Sequence, residues 1–405
     1  MRRPTDHAGC VRRLAGRLLG TVLASMTLAV QAAEPHTVPA TPDAWVLSEG
    51  AVARFQRHYG RDALGLGEVT TSEINQVAFA RGVEFENGAL EVDVAPRSNM
   101  SFIGLVFRAR SDADYEVVYL RTASSGGGDA IQYAPAYHRE IGWQLYPDGQ
   151  ASVEFNQKSW NHLKVRFQGE RLEVYVNDRE QPSLVTRLRR PPAPGQVGVF
   201  SLYETYFANF RYVAERNGES GVPVPASEPQ PWRETLPGPV VRAPLMITRW
   251  QLSPVQLEAE ARPETYPGAA ALRAMSWLPA TTDHDGLLPI VKYRAKIRGG
   301  RWQENSRDVV WARTTLRAER ARVARLDLDY SDKVVLYLNG RPLFAGNNTF
   351  LAQRGNSLGN LGLGSNGVYL PLRAGDNELL MAVIEESDGW GLIARLDDSD
   401  GVSVR

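Results

Sequence analysis

The chain has 405 residues, of which 43% are hydrophobic and 23% charged, enough apolar material for packed cores and too much for a disordered chain. Its 46 basic and 46 acidic residues cancel, which argues against a nucleic-acid partner, since that would require a basic face. Glycine (36) and proline (25) together make up about 15% of the residues, a turn-rich value that suits many short strands better than long helices.

At the N-terminus, Arg2, Arg3, Arg12, Arg13 and Arg17 precede the uncharged run Leu18–Ala33, and Val30-Gln31-Ala32 places small residues where a signal peptidase cuts. The run is short of the roughly 20 residues a membrane span needs. Residues 1–33 are therefore expected to be a signal peptide, with the protein secreted or periplasmic and carrying no membrane span. The Arg12-Arg13-Leu14 triplet fits a twin-arginine signal poorly. Five arginines and one aspartate leave with the leader, so the remainder carries a net charge of −4. Cys10 also lies in the leader, ahead of the apolar run, so no lipid anchor through it is expected. The exported remainder then has no disulfide, no thiol nucleophile and no thiolate metal ligand.

Strand signals begin after a Pro/Thr-rich segment, and a first domain is expected over residues 44–214. Ala89–Val94 alternates, whereas Phe102–Arg108 and Tyr115–Arg121 are more continuously apolar. The clearest hairpin joins His162–Phe167 to Arg171–Val176 through Gln168-Gly169-Glu170. Leu163, Val165 and Phe167 share one face with Leu172, Val174 and Val176 opposite, the period of two that a sheet requires. Val197–Leu202 and Phe207–Val213 close the domain. About ten short strands separated by turns imply a β-sandwich.

FENGALEVDV, SFIGLVFRA, WNHLKVRFQGERLEVYVND and the closing GQVGVFS and YFANFRYV together resemble the concanavalin A-like (laminin G-like) jelly roll over most of residues 80–213. That resemblance implies a lectin-like or glucanase-like relative and specifies no activity, because function resides in the site and not in the fold. The glucanase motif in outline is E-x-D-x-x-E on one strand. Here Glu91 and Asp93 supply the first two acids and the last Glu is missing, so both read as solvated residues of what looks like an outer strand.

Asp129–Tyr146 gathers Tyr133, Tyr137, His138, Trp143 and Tyr146 without simple alternation. Aromatic rings can lie against the apolar faces of pyranose rings while arginines and carboxylates bond hydroxyl groups. The ligand-binding residues expected from this are Tyr133, Tyr137, His138 and Trp143, with Arg108 and Arg121 ending neighbouring apolar strands. The competing reading is that the aromatics fill the core, which suits Tyr133 and Trp143 better than Tyr137 and His138.

Asn217–Pro239 carries six prolines in 23 residues and reads as an extended spacer, so a Pro-rich linker is expected over 215–239 and a second domain over 240–405. Within that second domain Val334–Leu338 runs into Asn339-Gly340, a strong hairpin signal. ARLDLDYSDKVVLYLNGRPLFAG and YLPLRAGDNELLMAVIEESDGWG resemble the galactose-binding-like jelly roll attached to many glycoside hydrolases. In that family the domain binds sugar or serves as a structural accessory. Asp388 and Trp390 lie near a loop as sugar-contact candidates, with packing the competing role for Trp390.

Other motif matches fail on context. Gly355-Asn356-Ser357-Leu358-Gly359 imitates a nucleophile elbow, yet all six histidines precede it and no helix pattern follows. Gly362–Gly367 matches G-x-G-x-x-G but runs into a strand. Asp283-His284-Asp285-Gly286 reads as a polar turn ahead of a cation site, and the histidines lack zinc spacing. No cofactor is indicated, and the sequence leaves structural calcium open.

The sequence thus points to an all-β chain of two jelly-roll sandwiches joined by a Pro-rich linker, acting as a secreted, non-catalytic protein that binds a glycan or polysaccharide. Two alternatives stand beside it. One is a carbohydrate-active enzyme in which Glu116, Glu140 or His138 does acid–base work. The other is a cell-envelope interaction module.

Overall fold

The computed structural model describes residues 34–68, 75–177, 179–215, 244–297, 307–350, 352, 359–386 and 389–405. The leader, almost all of the Pro-rich segment, most of the elbow-like string and Asp388 lie outside the described residues. Among the described residues the fold is all-β: antiparallel strands build four sheets, and the helices are short, of at most six residues. From Pro35 to Arg405 it forms one compact unit.

Residues 36–215 supply two sheets packed face to face. The outer sheet runs, in space, Leu184–Arg187, Arg171–Val176, Asn161–Gln168, Asn87–Pro96, Thr205–Glu215, Arg61–Leu66 and Ala53–His58. The expected hairpin is present in its expected register, with Leu163 opposite Val176, Val165 opposite Val174 and Phe167 opposite Leu172. Burial alternates strictly along Asn161–Gln168, so one face meets the core and the other meets water.

The second sheet runs Glu140–Ile141, Ile131–Tyr137, Asp114–Arg121, Phe102–Ser111, Gly195–Leu202, Gln76–Phe85 and Trp45–Leu47. Its strands do not alternate. Tyr115–Leu120 and all of Ile131–Tyr137 are buried throughout, the pattern of a sheet covered on both faces. One face, with Leu105, Phe107, Val118 and Leu120, packs on the outer sheet. The other, with Val77, Tyr119, Ala134 and Phe200, joins the same apolar cluster as Leu288, Val291, Trp390 and Leu392 from the C-terminal half. This sheet is the middle layer of the molecule.

Residues 245–404 form the remaining two sheets. One is ordered Leu245–Met246, Gly391–Leu396, Arg322–Ser331 and Asn366–Leu372; the other includes Arg249–Leu252, Asp308–Ala318, Gly375–Glu385, Lys333–Leu338 and Arg341–Asn347. Asn339 and Gly340 turn the expected hairpin with φ of +52° and +78°, the left-handed pair that a two-residue turn of this hand needs.

The two halves meet closely. Leu145 enters the C-terminal core from the Trp143–Leu145 turn, so tightly that a methyl group added at Gly391 would lie 2.9 Å from its Cδ2. Around it, Ser331 Oγ donates to Gln144 Oε1 at 3.0 Å, Leu361 N donates to Gln144 O at 3.0 Å, and Gln150 and Asn360 exchange amide hydrogen bonds. Lys296 Nζ stands 3.3 Å from Glu140 and 2.6 Å from the buried Glu385.

Candidate functional site

The Asn87–Pro96 strand is not at an edge. It occupies the centre of the outer sheet, between Asn161–Gln168 and Thr205–Glu215, which corrects the outer-strand reading. Sequence alone could not show this, because strand order is set by tertiary pairing and not by local pattern. The consequence is that Glu91 and Asp93, at alternate positions of one strand, project from the middle of the solvent face. His162 and Lys164 sit directly beside them on the next strand, opposite Asp93 and Glu91 respectively. On the other side a bulge between Ala208 and Arg211 puts Asn209 at φ +54°, and its Nδ2 donates to Asp93 Oδ2 at 2.6 Å.

Glu91, Asp93, His162 and Lys164 line an open groove of about 720 Å3 together with Arg61, Trp160, Tyr175 and Arg211. Asp93 is held by Arg61 Nη1 at 2.5 Å and by His162 Nδ1 at 3.0 Å. Glu91 is held by Lys164 Nζ at 2.9 Å and Arg211 Nη2 at 3.3 Å. Partial burial would raise both acids, but hydrogen bonds and cations outweigh it: Lys164 and Arg211 bring Glu91 below the usual carboxylate range, and His162, Asn209 and Arg61 do the same for Asp93. Both are ionised at neutral pH.

One end of the groove is aromatic. The half-buried Trp160 carries the Arg61 guanidinium 5.0 Å above its ring. Beside it His58 stacks on Tyr206 with centroids 3.7 Å apart and lies edge-on to Trp160, while Tyr59 is 63% exposed. Sequence reasoning passed over Trp160. Its place immediately before the strictly alternating Asn161–Gln168 strand was the available signal.

The residues singled out in the sequence scatter. Arg108 is buried, and its guanidinium donates to Glu86 O, Asn87 Oδ1 and Gly169 O inside the sandwich. Tyr133 is buried too: its hydroxyl donates to Glu116 Oε2 at 2.8 Å and accepts from Arg189 N. Neither can touch a ligand at the surface, so the expectation for these two is corrected: they complete the core. Glu116 is fully buried in the same network, and burial raises its carboxyl, so it has no solvent-facing acid–base role. Arg121 pairs with Asp129 and lies over the rings of Phe102 and Trp143, and Trp143 packs edge-on against Phe350 at the junction of the halves. Trp390 is wholly buried, its indole donating to Val383 O.

Only Tyr137 and His138 come together at an opening. They line a second cavity, of about 470 Å3, with Arg110, Arg189, Arg190 and Lys292. Among the described residues no cluster of His, Cys, Asp or Glu is arranged to hold a metal ion, and no helix is long and apolar enough to cross a membrane.

No family model matches the chain, and no curated protein matches it. Among solved structures, it is similar to the carbohydrate-binding module CBM66 from Bacillus subtilis (11% identity, 41% of this chain and 93% of that one, TM-score 0.32). It is also similar to a VIP36 exoplasmic/lumenal domain in a Ca2+/Man3GlcNAc-bound form (13%, 50% and 93%, 0.34). A third is a Bacillus licheniformis β-glucanase (11%, 46% and 100%, 0.31). At these identities and scores the likenesses are distant, and nothing about this chain's chemistry follows from them.

Proposed function

We propose that this chain is an exported, non-catalytic glycan-binding protein and that the groove on the outer sheet is its binding face. The observation that carries the reading is the groove's composition. Ionised carboxylates, amides, an imidazole and cations line one groove, which ends on the half-buried Trp160. Sugar hydroxyls both donate and accept, so a surface alternating acceptors with donors at hydrogen-bond spacing suits them. The apolar face of a pyranose can rest on the indole. The leader-like pattern of residues 1–33 supports export.

Hydrolysis is the poorer reading. A glycosidase needs one carboxylic acid that keeps its proton near neutral pH, and the two acids at the centre of the groove, Glu91 and Asp93, are held ionised by hydrogen bonds and cations.

The test is retention on a panel of immobilised neutral polysaccharides for the wild type, Trp160→Ala and Asp93→Asn. Selective retention of the wild type on one class, weakened at least tenfold by Trp160→Ala, is the expected result. Equal retention of all three proteins would remove the groove from the account. Silence across the panel would move the weight to a protein partner.

A further inference from the structure

The second cavity has a different chemistry from the groove. It opens at the seam, with Lys292 contributed by the short helix Ile290–Tyr293 of the C-terminal half and the other side chains by the N-terminal half. Two consecutive arginines, Arg189 and Arg190, line it, and both are fixed. Arg190 pairs with Asp114, donates to Ala136 O and lies 4.3 Å over the ring of Tyr137. Arg189 pairs with Asp148 at 2.5 Å and with Asp285 at 2.8 Å, and lies 4.9 Å over the ring of Tyr146.

Once those bonds are made, donors dominate the lining: its one carboxylate, Asp114, is engaged by Arg190, and the remaining acceptors are hydroxyls and the His138 imidazole. The Nε–H of Arg189 and of Arg190 has no partner, and neither does the Tyr137 hydroxyl, although all three residues are more than nine-tenths buried. Such groups are costly to leave unmatched. At the mouth, Arg110 and His138 are exposed and make no hydrogen bond or ion pair with any described residue. Lys292 Nζ lies 3.4 Å from Asp283 and 5.7 Å from the Tyr293 ring centroid, and an ammonium group has three N–H donors. A wall of preorganised donors with a free guanidinium at its edge selects an acceptor-only group, and Arg favours a planar oxyanion that it can hold in two places.

The volume says what accompanies that group. An isolated inorganic oxyanion would leave most of 470 Å3 unfilled, whereas one or two sugar rings fit. We propose that the seam cavity binds the carboxylate of an acidic saccharide, a uronate residue, at a site separate from the outer-sheet groove. The saccharide part of this proposal rests on the glycan-binding reading above; the carboxylate part rests on the donors alone. Because the walls come from both halves, occupancy ties them together.

The experiment is calorimetric titration of the full exported chain with uronate disaccharides of the galacto and gluco series. Their methyl esters, inorganic sulfate and inorganic phosphate are titrated in parallel. Binding of a uronate disaccharide, at least tenfold weaker as its ester, is expected. Arg110→Ala, an exposed position that does not endanger folding, should weaken it tenfold or more, and Tyr137→Phe by a few fold. At a hundredfold excess over Kd the melting temperature should rise by about 3 °C. Binding of ester and acid alike, an unchanged Kd in Arg110→Ala, or sulfate or phosphate binding as tightly as the uronate would each overturn the proposal. Absence of uronate binding in protein still retained on a neutral polysaccharide would overturn this site alone. Failure of both would overturn the glycan-binding reading as well.

Discussion

Leu145→Ala tests whether the molecule has one core or two. Leu145 is 3% exposed and belongs to an apolar cluster drawn from both halves. Its surroundings have little slack: added methyl groups at Gly142 and Gly391 would lie 3.0 and 2.9 Å from its two terminal carbons. A buried leucine truncated where backbone on both sides prevents collapse falls in the middle of the range of about 2–5 kcal/mol, so roughly 3–4 kcal/mol is expected. Unfolding entropy of about 2.1 cal/mol/K per residue over roughly 370 residues gives about 0.8 kcal/mol/K, so the melting temperature should fall by about 4–5 °C. Scanning calorimetry of both proteins, with tryptophan fluorescence as a second probe, should show a single coincident transition displaced as a whole. A fall under 1 °C, or a wild-type melt that resolves into two steps of which only one moves, would refute the shared core.

Two further outcomes follow from the packing and the charges. In Gly104→Ala the new methyl carbon would lie 1.9 Å from Val118 O and 2.7 Å from Tyr119 Cα, backbone that cannot step aside. That variant should yield no soluble folded protein, while Gly128→Ala, with nothing within 4 Å, should express and melt like the wild type; parallel expression and melting of the two checks this. Burial pushes the Glu385 carboxyl up to about 8 despite the nearby Lys296. The folded state therefore holds a proton that the unfolded chain has already released between about pH 4.5 and 8, so this group makes stability decline as pH rises through that window. Glu385→Gln should flatten the decline, as measured by melting temperature between pH 4.5 and 8.5; an unchanged slope would exclude Glu385 as its source.

Most of the strands were legible in the sequence because period-two patterning is a local property. The Asn161–Gln168 and Arg171–Val176 hairpin was recognisable in register from Leu163, Val165 and Phe167 alone. The more continuously apolar runs at Phe102–Arg108 and Tyr115–Arg121 carried a further message, a third layer over their second face, which composition could not attribute to the C-terminal half. The site was less legible for the same reason. Tyr133 and Tyr137 are four residues apart in one strand, yet one lies inside the sandwich and the other at the seam. The importance of Glu91 and Asp93 depends on which strands flank theirs, information present only after the chain has folded.

The enclosed middle sheet restricts how this protein can be taken apart or inherited. Sugar-binding modules that bury only their own interior can be excised, fused and shuffled as interchangeable cassettes. Here, cutting within the proline-rich stretch would strip the cover from Val77, Tyr119, Ala134 and Phe200 and expose a broad apolar face, a liability for aggregation. The heritable and expressible piece is therefore the pair of halves, and any biosensor or fusion partner belongs at a terminus and not in the middle.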